Sequence, residues 1–526
     1  MKKYLLFLLT SLTFSTAQSQ EIADAVRYSQ DNLTGTARFR ALGGAFGALG
    51  GDLSSINVNP AGSAVFSNNQ VTLTLSNFNN KNNSNYFNTN TSSKENSFDM
   101  NQTGGVFIFK NHDTNSNWKK FSISINYEKT NNFDNSVFSA GINEYNSIDG
   151  YFLSYANFGN GGAPVPQEYV NTNTGESIPD LYSFLGNSLP NGQYPNMTGF
   201  AAQQAMMGYQ GYIINAIDDT NNNSPYVSNV TQGGNYYQEN NIYTNGYNGK
   251  LSFNAATSYK DKLYIGLNLN SHFVDFTKSS SFYESNTNTL SNDYTVRELR
   301  FNNNLYTYGS GFSFQLGAIA KVTNEVRLGL AYESPTWFRL TDEFSQSLTA
   351  VSKNISGELP ADVVNPNVIN YYAPYKLQTP EKVTLSFGYV FGKTGLISID
   401  YTLKNYSNTK FKPESDSYFR DINNQMSNTL ASTGELRIGA EYKIKALSIR
   451  GGYRFEESPY KNSLTIGDFN SYSAGLGYNF GACRLDFAYV YGERTSQQSF
   501  FNQGFTDGAK TTTKNNNAVA TLTFEL

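Results

Sequence analysis

Two histidines, His112 and His272, and one cysteine, Cys483, are all that this 526-residue chain offers among the side chains that most often ligate metals or attack substrates. Neither histidine has a cysteine or carboxylate neighbour at metal-ligand spacing, so no metal or haem site is expected. A hydrolytic triad would need a serine, a histidine and a carboxylate to converge; His272 with Ser271 or Asp275 is a coincidence in a chain this rich in polar residues, and no enzyme is expected. The run Gly43, Gly44, Gly47, Gly50, Gly51 lacks the spacing and the Lys-Ser/Thr ending of a phosphate cradle. Such glycines instead suit a backbone that presses closely on a wall or adopts positive φ. The following Asn59-Pro60-Ala61-Gly62 favours a tight turn, because Asn braces neighbouring backbone and Pro fixes φ. A second chemical feature lies late in the chain, where Arg437, Glu441, Lys443, Arg450, Arg454, Glu456, Arg484 and Asp486 alternate with apolar residues. If these line an interior, five cations meet three anions. Two outcomes are open: an internal ion-pair network, which is preferred because buried charges need partners, or a carboxylate site for which Arg437, Arg450 and Arg454 are the candidates. No cofactor is implied.

The elements that must position these residues are β-strands. Lys2 and Lys3, the apolar run Tyr4 to Phe14 and the small residues near Ala17-Gln18-Ser19 form a signal peptide over residues 1–19. Nothing later reaches the roughly 18 uninterrupted apolar residues of a spanning helix, and one cysteine excludes an intrachain disulfide. Hydrophobic residues make up 39% of the chain, low for a globular protein, while aromatics reach 15%; alternation hides lipid-facing residues from such averages. Period-two segments recur: Phe121, Ile123, Ile125, Tyr127; Leu263, Ile265, Leu267, Leu269; Ile397, Ile399, Tyr401, Leu403; Leu485, Phe487, Tyr489, Tyr491. Tyr and Phe gather at strand ends, as girdles do. The expected fold is therefore all-β, a transmembrane antiparallel β-barrel over residues 70–526 with fourteen to sixteen candidate strands, and a small N-terminal hatch, residues 20–69, inside the lumen. A net charge of −4 without basic blocks argues against nucleic acid as a partner. Alternation fades over about residues 131–245, which reads as a long extracellular insertion. There Leu181, Phe184, Met206 and Met207 stand at loosely helical spacing, either packing a lid on itself or lining an apolar groove for a ligand.

These residues resemble the FadL/TodX family of outer-membrane transporters of long-chain fatty acids and other hydrophobic compounds. The resemblance rests on the glycine run with Asn59-Pro60-Ala61-Gly62, on Leu328 to Pro335, on Thr379 to Tyr389, and on Leu436 to Tyr442, in the family's order. It implies a cell outer membrane location, a fourteen-stranded barrel, passive uptake of a fatty acid-like ligand from an extracellular apolar groove, and hatch-gated release sideways into lipid through a distorted strand. A PorV-like branch of the family acts as a subunit of protein-export complexes, so a scaffold with protein partners on the insertion is the alternative. Three departures stand: the long insertion, an end at Leu526 instead of an aromatic residue, and a third strand, Phe121 to Glu128, without Gly or Pro to mark a break.

Overall fold

The computed structural model describes residues 20–113, 115–289 and 294–526; the expected signal peptide lies outside them. Among the described residues fourteen strands form one antiparallel wall: β1 (Gln70–Tyr86), β2 (Thr89–Lys110), β3 (Trp118–Asn132, continued by Asn135–Asn143), β4 (Tyr236–Tyr259), β5 (Leu263–Asn286), β6 (Tyr294–Lys321) and β7 (Val326–Glu333, continued by Trp337–Asn354). The second half comprises β8 (Tyr375–Gln378, continued by Lys382–Phe391), β9 (Gly395–Asn405), β10 (Ser432–Ile444), β11 (Leu447–Glu456), β12 (Ile466–Asn479), β13 (Cys483–Ser499) and β14 (Gly508–Glu525). Pairing of Gln70 with Glu525 through Asn85 with Lys510 closes β14 on β1. Side chains alternate as expected for lipid outside and protein inside: on β5, Leu263, Ile265, Leu267 and Leu269 are exposed, while Asn268, Asn270 and His272 are buried.

Three interruptions bend this wall. Pro335 and Pro380 break β7 and β8 at facing positions, since proline cannot donate to a ladder; Thr336 N–H donates to Thr379 Oγ1 (2.9 Å) and Thr379 N–H to Thr336 O (3.0 Å) instead. The third break is in β3. It falls at Phe133-Asp134, past the segment examined in sequence, and needs neither glycine nor proline within the strand. Asp134 N–H donates to Asn132 Oδ1 (2.7 Å), an Asx turn, and Phe133 turns inward against Phe276 with ring centroids 5.1 Å apart. Consequently the β2–β3 ladder runs from Lys110↔Lys120 only as far as Gln102↔Glu128. Beyond it, side chains join the strands: Lys129 to Asp99 (2.8 Å), Asn132 to Ser97 (2.9 Å) and Ser93 to the Ser136 carbonyl (2.6 Å).

The insertion is shorter than residues 131–245, because β3 continues to Asn143 and β4 starts at Tyr236. What remains carries α3 (Asp149–Phe158), α4 (Ile178–Ser188) and α5 (Gly199–Gln210). Ser177 and Asp180 cap α4 reciprocally, and Thr198 accepts from Ala201 N–H to start α5. These helices pack on one another and on Phe282, Phe301 and Leu348 of the wall as a lid over one end of the barrel. Glu284 on β5 pins the lid's start, accepting from Ile148 N–H (2.9 Å) and from Gln238 Nε2 (2.7 Å). At the other end the connections are tight, Lys445-Ala446 and Gly481-Ala482 among them, so the two ends of the barrel differ as the ends of such barrels do.

Residues 20–69 fill the lumen. α1 (Ile22–Ser29) lies beneath the lid, α2 (Ala37–Ala41) deeper, followed by single-turn segments Leu53–Asn57 and Pro60–Val65. Where this hatch touches the wall the wall is bare: a Cβ at Gly317 would stand 2.0 Å from Asn59 Oδ1, and one at Gly329 2.3 Å from Gly47 O. Gly317→Val should therefore leave a folded barrel with a displaced hatch, lowering stability by about 1–3 kcal/mol. A melting curve in detergent and single-channel conductance check this; wild-type conductance would refute the requirement for close approach.

Candidate functional site

The hatch is a backbone-rich object held by polar wall side chains. Phe46 and Gly47 N–H groups both donate to Asp400 Oδ2 (2.9 Å each). Gly47 has no room for a side chain, since a Cβ would meet Ser386 Oγ at 2.0 Å, and Gly43 takes φ +62° beside the Tyr453 carbonyl. Gly44, Gly50 and Gly51 share the left-handed region. Asn59 ties the glycine run to two wall strands: its Nδ2 donates to Gly47 O (2.7 Å), Ala318 O (3.0 Å) and Leu330 O (3.4 Å), while its Oδ1 accepts from Ala61 N–H (3.1 Å). Pro60 opens the following turn, its carbonyl accepting from Asn254 Nδ2 (2.9 Å), and Gly62 O accepts from Gly51 N–H (3.1 Å). Thus Asn59-Pro60-Ala61-Gly62 folds back on the glycine run and clamps both to the wall.

The lumen charges of the late strands sit in ion pairs. Arg450 bonds Glu441 (2.6 Å) and Asp486 (2.7 Å), and Arg38 of the hatch joins the same Glu441 (2.9 Å). Arg437 bonds Glu435 (2.7 Å), which also pairs with Arg454; Arg454 reaches Glu456 (3.2 Å) and the hatch carbonyl of Asp31 (3.0 Å). Asp31 itself holds Lys382 (2.7 Å) and Lys404 (3.3 Å), and these cations keep its carboxyl well below the usual range. The head-group role considered for Arg437, Arg450 and Arg454 finds these guanidinium groups engaged by carboxylates, because strand parity puts Glu435, Glu441 and Asp486 beside them. The space between the upper cluster and the hatch is about 80 Å³, room for water and none for an acyl chain.

Arg40 differs. It is fully buried, its guanidinium lies 5.2 Å from the Phe78 ring, and its Nε and Nη1 find no hydrogen-bond acceptor among the described residues. Burial pushes it down to about 10.

The large cavity lies higher, between α1 and the lid, and measures about 1100 Å³. Tyr151, Tyr155, Phe200, Phe282, Phe344 and Phe501 line it. Of the lid residues singled out in sequence, Leu181, Met206 and Met207 are closed into the lid's own core, and Phe184 stacks on Tyr169 instead. They do not line this cavity; the self-packed reading describes them, because the three helices bury one apolar face against each other. Among the charged groups that line the cavity, with Glu21, Asp24 and Arg27 of the hatch and Asp416, Lys278 on β5 makes no ion pair among the described residues. Burial, with Arg27 nearby, holds its ammonium below the usual lysine range. Parity along β5 would have revealed it: with Leu263 to Leu269 outward at odd positions, Lys278 points inward like His272. The same parity turns Ser271 and Asp275 away from His272, whose Nε2 instead meets Ser313 Oγ at 2.9 Å.

α1 is the floor of this cavity, contributing Glu21, Asp24 and Arg27. Just past it, the segment Gln30–Gly35 backs the broken seam: Asn32 N–H donates to Asn131 Oδ1 (3.1 Å), Thr34 Oγ1 to Glu128 (2.8 Å), and Gly35 N–H to Asn101 Oδ1 (2.8 Å). Asn101 is the bulged residue of β2, turned inward by the register shift opposite Thr74 and Leu75.

A family model described as outer membrane protein transport protein (OMPP1/FadL/TodX) matches residues 226–525, more than half the chain. A second, an uncharacterised protein family (UPF0164), matches residues 9–93. Among proteins of curated function none matches by sequence. Among solved structures, a Pseudomonas aeruginosa FadL homologue is 12% identical, with 94% of this chain and 99% of that chain covered and a TM-score of 0.50. The Pseudomonas putida toluene transporter TodX is also 12% identical, over 94% and 99%, with a TM-score of 0.49. The CymD monoaromatic hydrocarbon channel gives 12%, 94%, 99% and 0.47. The first of these shares the fold.

Replacing Arg40 by Met removes a buried cation without stranding a charged partner, so Arg40→Met should hold or raise the melting temperature. Glu441→Gln strips Arg38 of its carboxylate and leaves Arg450 with Asp486 alone, and should cost about 3–5 kcal/mol. Parallel denaturation in detergent checks the contrast.

Proposed function

We propose a ligand, a capture chamber and an exit for this chain, which belongs to the OMPP1/FadL/TodX family and is an outer-membrane channel for hydrophobic compounds. The ligand is a long-chain amphiphile with an anionic head, a fatty acid foremost. One observation carries this reading: the Lys278 ammonium stands without an ion pair in an aromatic chamber of about 1100 Å³. A half-buried cation without an ion pair gains from a carboxylate, while the acyl chain exchanges water for aromatic faces. A neutral hydrocarbon would bring no carboxylate to that ammonium.

Passage then requires α1 to yield. Its outer part is held by side chains, Gln20 to Asp342 (2.9 Å) and an Arg27–Asp24 pair internal to the helix, whereas the glycine run is clamped by backbone groups. Movement of α1 pulls on Gln30–Gly35 and so on the seam between β2 and β3. Exit there delivers an acyl chain to the bilayer and spares it the periplasm. Support for this exit comes from the ladder's end at Gln102↔Glu128 and from the hatch bonds to Glu128, Asn101 and Asn131.

Lys278→Gln should weaken palmitate binding about tenfold and leave methyl palmitate within about twofold; equal affinity for palmitate in both proteins would discard the head-group assignment. Cysteines at Ser97 and Asn132, joined by a short bis-thiol reagent, should abolish uptake into cells while palmitate binding to the purified protein persists. Unchanged uptake in the joined protein would rule out this exit.

A further inference from the structure

The outer wall carries a row of lysines that the transport route does not use. Lys81 on β1 pairs directly with Lys94 on β2 and with Lys514 on β14. All three share the outward parity of Val71, Leu73 and Leu75 on β1, Phe98 and Met100 on β2, and Phe524 on β14. Lys514 has an exposed partner, Glu493, at 3.6 Å, whereas Lys81 and Lys94 make no salt bridge among the described residues. Like charges directly opposite each other in a sheet oppose pairing, so the row is a cost to the bare wall that an anion would offset.

Its height is readable from the register. Lys81 lies ten residues beyond Val71, and Lys514 ten residues beyond Phe524, which faces Val71 across the closure. A spanning strand takes about 9–11 residues. Between apolar wall and lysines come Asn79, Asn96 and Asn516, the last accepting from Tyr489 Oη at 2.7 Å, as befits an interface. The row therefore stands at the head groups of the extracellular leaflet. Directly above it, Asn83, Asn85, Asn90, Ser92, Thr512 and Lys510 border a shallow groove of about 480 Å³. Amides and hydroxyls are the partners a sugar needs; ammonium groups are the partners a phosphate needs.

We infer that Lys81, Lys94 and Lys514, with the polar groove above them, bind the phosphorylated sugar head group of an outer-leaflet glycolipid. The acyl chains lie against Leu73, Leu75 and Phe98, the phosphate bridges the lysines, and the sugar occupies the groove. The site is on the lipid face, on the opposite side of the wall from the hatch, and is independent of what the channel carries.

The test uses the full mature protein in detergent, native mass spectrometry, and bisphosphorylated lipid A as the probe beside the same lipid stripped of phosphate. Wild type should retain the bisphosphorylated form about tenfold better, and the triple variant K81Q/K94Q/K514Q should lose that preference. The triple arginine variant should keep it. Equal retention of the two lipids by wild type, or undiminished preference in the glutamine variant, overturns the inference. So does stripping of the lipid by millimolar inorganic phosphate, which would make the row a site for free phosphate. Should the glutamine variant fail to fold, salt titration of the wild type decides: preference must fall as salt rises, and a salt-independent preference overturns the inference.

Discussion

An irregular backbone inside a membrane barrel has no solvent to satisfy it, so each of its N–H and C=O groups must find protein. The wall answers with side chains placed where the hatch is least regular: Asp400 under the Phe46 and Gly47 amides, Gln315 on the Asn57 and Val58 carbonyls, Asn268 on Ile56, Arg327 on Leu49. The glycines on both surfaces follow from this. Bonds of about 2.9 Å to a wall require that nothing larger than hydrogen stand between the two backbones.

The same constraint divides the hatch. From Thr36 to Val65 it is secured through its backbone, through Asn59 and through the Arg38–Glu441 ion pair, and little can shift without leaving several groups unpaired at once. Above that, α1 and Gln30–Gly35 are secured by fewer backbone bonds, at Asp31, Asn32 and Gly35, and by side chains, many of them charged. Ion pairs such as Asp31 with Lys382 and Lys404 exchange partners at lower cost than a clamped peptide does, and they surround the small water-sized space between the floor and the clamp. The β3 seam shows the same substitution of side-chain bonds for a ladder, and it lies beside this part of the hatch.

Much of this architecture was legible because it obeys a period of two. Outward Ile123, Ile399 and Phe487 required inward partners of opposite character, and the closing of strands into a wall followed from that. The hatch was legible from glycine spacing and from Asn59-Pro60. What escaped had no period. The break in β3 is an Asx turn at Asn132, whose signal is common in a chain so rich in asparagine, aided by Gly246 on the neighbouring strand at φ +115°. The lid's apolar residues read as well for a groove as for a core, and only packing told Met206 from Phe282. Lys278 was legible in principle, since parity reached it, but one lysine among many polar residues acquires meaning only from the aromatic rings that other strands and the lid bring to it.

The lengths of β4, β5 and β6, 24, 24 and 28 residues, exceed what a bilayer demands by more than twofold. At about 3.3 Å per residue and a tilt near 45°, the longest rises about 65 Å, against an apolar band of about 25 Å. The mouth is thus a chimney whose rim stands tens of ångströms above the lipid. A solute arriving at that rim is received above the lipid head groups, and the lumen spans a hydrated layer that an oily molecule crosses poorly by itself.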